Sequence, residues 1–298
     1  MMWYTKSVCR ETVLQFLVAN VYSRSRKAVY MKYKVLVLDI DGTLTNSKKE
    51  ITPDTKQALI KLMESGIKVV LASGRPVAGI QPIAEQLELK KYGGYILAFN
   101  GARIIECNTD TVIHDQTLPM NIIPKLYDLS KEYNVNILSY DKDAIISEIP
   151  DDKYLEIEAR INKMPIRKVD SFKQYIDYPV NKCLITGDGE YLAEVEKNIK
   201  DRLEGEISVY RSEAFFLECV PLNIDKATSL EDLLRYLGYT KEEMIACGDG
   251  YNDISMIEYA GLGVAMANAK DEVKKVADFI TLSNDDEGIT HVINKFFD

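Results

Sequence analysis

The chain has 298 residues, 37 Lys+Arg against 46 Asp+Glu, and a formal net charge of −9. Its length suits two domains or one large one, and 46% hydrophobic with 28% charged residues is ordinary globular composition, which excludes a disordered, collagen-like or disulfide-stapled chain. A pI near 5.0 argues against a general nucleic-acid binder, which shows a basic face. Residues 1–30 carry +4 and the remaining 268 carry −13. The apolar stretch 13–21 is too short to span a bilayer, and no clean cleavage pattern follows it. Met31 stands directly before Lys32-Tyr33-Lys34 and an apolar strand. It reads as a natural start, and 1–30 as a dispensable extension. The cysteines at 9, 107, 183, 219 and 247 show no CxxC spacing. They read as buried free thiols of a reducing cytoplasm.

From Lys34 onward, strands and helices alternate. Residues 35–38 form a continuous apolar run, as in a strand buried on both faces. Thr52-Pro53 caps and starts a helix that Gly66 ends. Strand 67–71, helix 76–89 and strand 95–99 follow, and the rhythm predicts an open α/β sheet. Segments 102–106 and 111–113 pair as a hairpin. The middle then predicts helices near 119–133, 151–163 and 189–203. Strands fall near 135–140, 144–149, 166–169, 181–186, 207–211 and 214–220. This is an α+β insert. After Pro221 the α/β rhythm returns: helix 228–237, strand 244–247, helix 253–259 and strand 262–266.

Ligands of such sheets bind beyond the carboxyl ends of the strands. Four local patterns stand there. Asp39-Ile40-Asp41-Gly42-Thr43-Leu44-Thr45 follows the first strand. Its two carboxylates can face one site once Gly42 turns the chain, where a cation or shared proton relieves their repulsion; a strand-end turn with solvated acids is the alternative. Ser73-Gly74 sits between a strand and a helix, where hydroxyl and amides suit an anion; an ordinary N-cap serine is the alternative. Lys226 precedes a helix, where a lysine is otherwise a surface charge. Gly248-Asp249-Gly250-Tyr251-Asn252-Asp253 follows another strand and offers oxygen ligands for a hard cation, or a plain turn.

Together these motifs resemble the haloacid dehalogenase superfamily of aspartyl-phosphate hydrolases. The Asn100-Gly101-Ala102 turn, Val264-Ala265-Met266-x-Asn268-Ala269 and Asn284-Asp285-x-x-Gly288 resemble its Cof-like sugar-phosphate phosphatase branch. Ala227 departs from the family's usual Gly. The resemblance implies an α/β, Rossmann-like core with a parallel sheet, formed by 31–105 and 217–298, and an inserted α+β cap over 106–216. It implies Asp39 as nucleophile and Asp41 as acid/base. It implies Mg²⁺ held by Asp39, Asp41 (through its main-chain carbonyl) and Asp249, with Asp253 orienting that shell. It implies phosphate contacts from Ile40, Ser73, Gly74, Lys226 and Asn252. Asp41 favours hydrolysis over ATP-driven transport.

Ser73 lies 32 positions after Asp41, and Lys226 lies 153 positions after Ser73. The insert therefore falls after the third strand. A cap there excludes water and selects compact substrates. The expected partner is a small phosphorylated metabolite, with no nucleic acid, no membrane and a monomeric chain. Tyrosines of the insert and Lys182 are candidate specificity residues, with a core or surface role as the favoured alternative for each. A phosphomutase of the phosphomannomutase type shares the two leading acids, and an inactive metabolite-binding regulator is the non-enzymatic alternative. A phospho-accepting receiver module uses similar residues but lacks the insert.

Overall fold

Short apolar runs without polar alternation become the central strands. The structure, a computed structural model, describes residues 32–297. The 1–30 extension, the Met31 start and Cys9 lie outside them. Val35–Leu38 (β1), Lys68–Ala72 (β2) and Tyr95–Ala98 (β3) are parallel neighbours. The chain then folds back through Arg103–Glu106 (β4) and Thr111–Asp115 (β5), both antiparallel to what precedes them. A second sheet follows. It consists of Asn136–Tyr140 (β6), Ile145–Ser147 (β7), Ile166–Lys168 (β8), Cys183–Thr186 (β9), Ser208–Glu213 (β10) and Phe216–Val220 (β11). Met244–Gly248 (β12), Leu262–Ala265 (β13) and Phe279–Ile280 (β14) then return to the first sheet. The strand orders are β14-β13-β12-β1-β2-β3-β4-β5 and β10-β11-β9-β6-β7-β8. The expected α/β core with an α+β insert is the observed architecture.

The insert's boundaries differ from 106 and 216. The hairpin β4–β5 extends the first sheet, and β11 belongs to the second. An edge hairpin has the same half-exposed strand pattern in either sheet, so its residues do not say which one it joins. Helix Ile122–Glu132 opens the cap, and β11 closes it. The two connections are tied to each other: Gln116 Nε2 donates to Leu222 O at 2.9 Å. Asn181 Nδ2, on the cap side, donates to Asp115 Oδ1 at 2.7 Å.

β1 lies between β2 and β12, with Leu38 in register with both Leu71 and Cys247. The sequence runs one way from β1 to β3 and resumes on the other side at β12. That reversal opens a crevice at the carboxyl ends of β1 and β12. Helix Pro53–Glu64 starts as expected, with the Thr52 hydroxyl accepting from Thr55 N at 3.2 Å. Helix Gly288–Phe296, absent from the sequence reading, packs beside it. Glu287, at φ 59, takes the hydroxyls of Thr52 and Thr55 at 2.9 and 2.7 Å. The cap has its own core, in which Phe172, Leu192, Ile185 and Leu217 are fully buried. Each such side chain contributes roughly 1.5–3 kcal/mol by leaving water. Cys107, Cys183, Cys219 and Cys247 are buried and free.

Candidate active site

Asp39 is the first residue beyond β1, and its N–H still donates to Cys247 O at 3.0 Å. The chain then turns at Gly42, whose φ is +88°. A methyl group there would strike the Asp249 carboxylate. The left-handed φ alone costs a substituted residue about 1–2 kcal/mol. Gly42→Ala is therefore expected to lower unfolding stability by at least that amount and to remove most activity by displacing Asp249. An unchanged urea midpoint with full activity would contradict this.

Lys226 is the centre of the site and not a surface charge. Its side chain is 0% exposed. Asp225 caps its helix, accepting from Thr228 N at 2.8 Å. The Nζ donates to Asp39 Oδ1 at 2.7 Å, to Asp253 Oδ1 at 2.6 Å and to Ala72 O at 2.9 Å. These three acceptors satisfy all three ammonium hydrogens. Burial alone would push the Lys226 pKa down. Asp253 and Asp39 more than offset it and hold the ammonium above the usual lysine value. The second oxygen of Asp253 accepts from Asp249 N at 3.0 Å and Gly250 N at 2.9 Å. Both of its oxygens are thus engaged, and Asp253 holds the turn 249–253 against Lys226.

Asp39, Asp249 and Asp253 each offer an oxygen, all within 4.8 Å of one another. Thr43 Oγ1 donates to Asp249 Oδ1 at 2.8 Å. Burial, then the Asp253 charge, raises the Asp39 carboxyl well above the carboxylate range, against the pull of Lys226. Burial also lifts Asp249, to about 6, with the Thr43 hydroxyl opposing and Asp253 adding to the rise. Three carboxylates share one ammonium, so negative charge is under-compensated. A set of hard oxygen donors with surplus negative charge fits a divalent cation such as Mg²⁺.

Asp41 is placed differently. Its carboxylate does not join the acid cluster but turns to Arg75, with Nε 2.8 Å from Oδ2 and Nη2 2.7 Å from Oδ1. Lys49 Nζ adds a contact at 2.9 Å. Burial would raise Asp41, but Arg75 and Lys49 more than offset this and hold it below the usual value. Arg75 also reaches the cap, donating from Nη1 to Ile161 O at 3.1 Å. Sequence reasoning gives Arg75 no role. Its signal was the preceding Ser73-Gly74, but only the fold brings it to Asp41.

Ser73 follows β2 and is buried. It is not the N-cap of the next helix, which is Val77–Gln86 capped by Pro76. Its Oγ accepts from Arg75 N at 3.2 Å. Phe99 and Asn100, at φ 54° and 56°, reverse the chain after β3. This left-handed pair costs energy and brings Asn100 into the site. Asn252 Nδ2 donates to Asn100 Oδ1 at 3.1 Å, and Asn100 Nδ2 lies 3.4 Å from the Tyr210 hydroxyl of the cap. Gly74 leaves room beside the Asn100 amide, which lies 3.2 Å from where a methyl would stand. Ile40 is buried, and its carbonyl accepts from Thr45. Asp39, Asp41, Ser73, Gly74, Lys226, Asp249, Asn252 and Asp253 all line one cleft of about 850 Å³ between the core and the cap. No helix among the described residues is long and apolar enough to cross a membrane.

The chain is similar to known proteins over nearly its whole length. The haloacid dehalogenase-like hydrolase family model matches residues 36–293. YxeH of Bacillus subtilis is 33% identical over 266 residues, 88% of this chain and 98% of that protein. The crystal structure of a haloacid dehalogenase-like hydrolase from Bacteroides thetaiotaomicron superposes with a TM-score of 0.87 at 50% identity, covering 89% of this chain and 99% of the other. The sugar phosphatase BT4131, of haloacid dehalogenase subclass IIB, superposes with a TM-score of 0.75 at 26% identity, covering 89% and 99%. Motifs, fold and relatives agree that the chain belongs to the haloacid dehalogenase-like hydrolases, in their Cof-like branch, and is a phosphatase.

Proposed function

We propose that the protein is a Mg²⁺-dependent phosphatase of small phosphorylated metabolites, sugar phosphates or similar phosphomonoesters, working through a phospho-aspartate on Asp39. One observation carries this reading: Lys226 clamps Asp39 at the floor of a cleft that the cap roofs. The clamp uses Oδ1 and leaves Oδ2 for attack. In the first half-reaction Asp39 Oδ2 forms a bond to phosphorus while the ester P–O bond breaks. Asp41 gives a proton to the departing oxygen. In the second, Asp41 takes a proton from water, the water oxygen attacks phosphorus, and the Asp39–phosphorus bond breaks.

Arg75 holds Asp41 ionised, the form that accepts the water proton. Donating to the leaving group requires Asp41 to carry a proton, and it leaves Arg75 and Lys49 to do so. Lys226, the Ser73 hydroxyl, the Gly74 and Ile40 amides and the Asn252 amide surround the phosphoryl oxygens, where charge gathers in the transition state. Asp39, Asp249 and the Asp41 main-chain carbonyl would hold Mg²⁺, with Asp253 orienting them. When bound, the ion supplies positive charge to the same oxygens and relieves carboxylate repulsion. The roofed cleft favours compact substrates over phosphoproteins. The acidic balance and free thiols suit a cytoplasmic enzyme.

The test is turnover of para-nitrophenyl phosphate and hexose phosphates. Activity is expected with Mg²⁺, lost in EDTA and restored by added Mg²⁺. Full activity after exhaustive chelation, or no turnover of any small phosphomonoester, would overturn the proposal.

A further inference from the structure

The cap wall of the cleft carries a buried charged group that phosphoryl transfer does not use. Glu158, in helix Lys153–Asn162, Lys182, just before β9, and Glu218, in β11, are 7%, 5% and 8% exposed. Lys182 Nζ lies 3.0 Å from Glu218 Oε2 and 5.1 Å from the centre of the Tyr140 ring. Tyr140 OH donates to Glu158 Oε1 at 2.6 Å, and Asn162 Nδ2 donates to the same oxygen at 2.8 Å. Ser212 Oγ donates to Glu218 Oε1 at 2.8 Å. Glu158, Lys182 and Glu218 line the same cleft as Asp39 and Asp41.

Burying three charges costs several kcal/mol each before pairing, and an apolar replacement is often at least as stable. Structural support alone is therefore a poor reason for this group. It also has unused capacity. Among the described residues, Glu158 Oε2 accepts no hydrogen bond, and Lys182 has a single carboxylate partner for its three donors. Both residues are more than nine-tenths buried and open onto the cleft.

We propose that Glu158, Lys182 and Glu218 read the leaving group of the ester and select a neutral, polyhydroxylated one over an anionic one. This rests on the phosphatase reading above. Ionised carboxylates only accept, and hydroxyls are the donors that fit them; adjacent hydroxyls span the oxygens of one carboxylate. The free Lys182 donors take a hydroxyl or ring oxygen. With two carboxylates against one ammonium, the group repels a second phosphate or a carboxylate on the substrate. Arg211, another cation of the cap wall, is turned away: its Nε lies 2.9 Å from Glu196 Oε2 and its Nη1 3.3 Å from Gly189 O. A site that hydrogen-bonds substrate hydroxyls discriminates strongly against analogues lacking them, because its buried groups are then left unpaired.

The experiment compares kcat/KM for glucose 6-phosphate, 6-phosphogluconate and para-nitrophenyl phosphate in the wild type, Glu158→Gln and Glu218→Gln. The second is the open-chain acid formed by oxidising C1 of the first, so it adds a carboxylate, and the third has no hydroxyls to read. The wild type is expected to prefer glucose 6-phosphate to 6-phosphogluconate by about tenfold or more. Either variant is expected to shrink that preference. Either is also expected to lower the ratio of glucose 6-phosphate to para-nitrophenyl phosphate turnover, measured on the same variant, by about tenfold. A role in folding alone would lower both substrates together and leave the ratios in place. That result, or a wild type that prefers 6-phosphogluconate, overturns the proposal. Absence of para-nitrophenyl phosphate turnover by the wild type overturns the phosphatase reading itself, and this one with it.

Discussion

Asp39→Asn is expected to fold like the wild type and to hydrolyse phosphomonoesters about 10⁴–10⁶-fold more slowly, the size of loss seen when a covalent nucleophile is removed. The amide is isosteric with the carboxylate, and its oxygen still accepts from Lys226 Nζ, now 2.7 Å from Asp39 Oδ1. What disappears is the nucleophilic charge. The same change tests the electrostatics of the floor. Burial and Asp253 raise the Asp39 pKa in the folded chain. A raised carboxyl pKa means that the folded state holds the proton more tightly than the unfolded one, so Asp39 lowers stability as pH rises through and above the usual carboxylate range. Replacing it with a neutral amide removes that loss. In metal-free buffer at neutral pH, Asp39→Asn is expected to melt at or above the wild-type temperature. A variant that is inactive because it is unfolded would melt lower, and residual turnover above one hundredth of wild type would assign the nucleophile elsewhere.

The parts of this site differ in how far the chain itself announces them. Asp39, Ser73 and Asp249 stand directly after β1, β2 and β12, and each strand is a short apolar run. Their position follows from local pattern plus the rule that ligands gather at strand ends. The burial of Lys226 does not. A lysine at a helix start looks the same whether it faces solvent or, as here, three converging acceptors from segments 27 to 187 positions away. Arg75 on Asp41 and the cap roof of Glu158, Lys182 and Glu218 are pairings of the same long-range kind. The hairpin β4–β5 misled for another reason, since strand propensity does not encode which sheet an edge strand joins. Helix Gly288–Phe296 is fixed by Glu287 reaching Thr52 and Thr55, more than 230 positions earlier.

Lys226→Met is expected to cost about 3–5 kcal/mol of stability, the range for removing one partner of a buried ionic group, and to abolish turnover. Methionine fills much of the same volume, so cavity formation is a minor part of the loss. The larger part is charge. Asp39 and Asp253 each lose a donor, at 2.7 and 2.6 Å, and face each other without the ammonium between them. Ala72 O also loses its partner. In the wild type the Lys226 pKa is raised above its ordinary value of 10.5. Its contribution is therefore complete at all pH values below that and is lost only as pH climbs through the folded-state value. In the variant the dependence moves to the acids. Without the ammonium the buried Asp39–Asp253 pair holds its protons more tightly than in the wild type, so the penalty grows as pH rises from acid to neutral. The melting temperature of Lys226→Met is expected to fall by about 10 °C at pH 8 and by clearly less at pH 5, each relative to wild type at the same pH. Equal shifts at both pH values would mean that lost packing, and not the missing ammonium, weakens the fold.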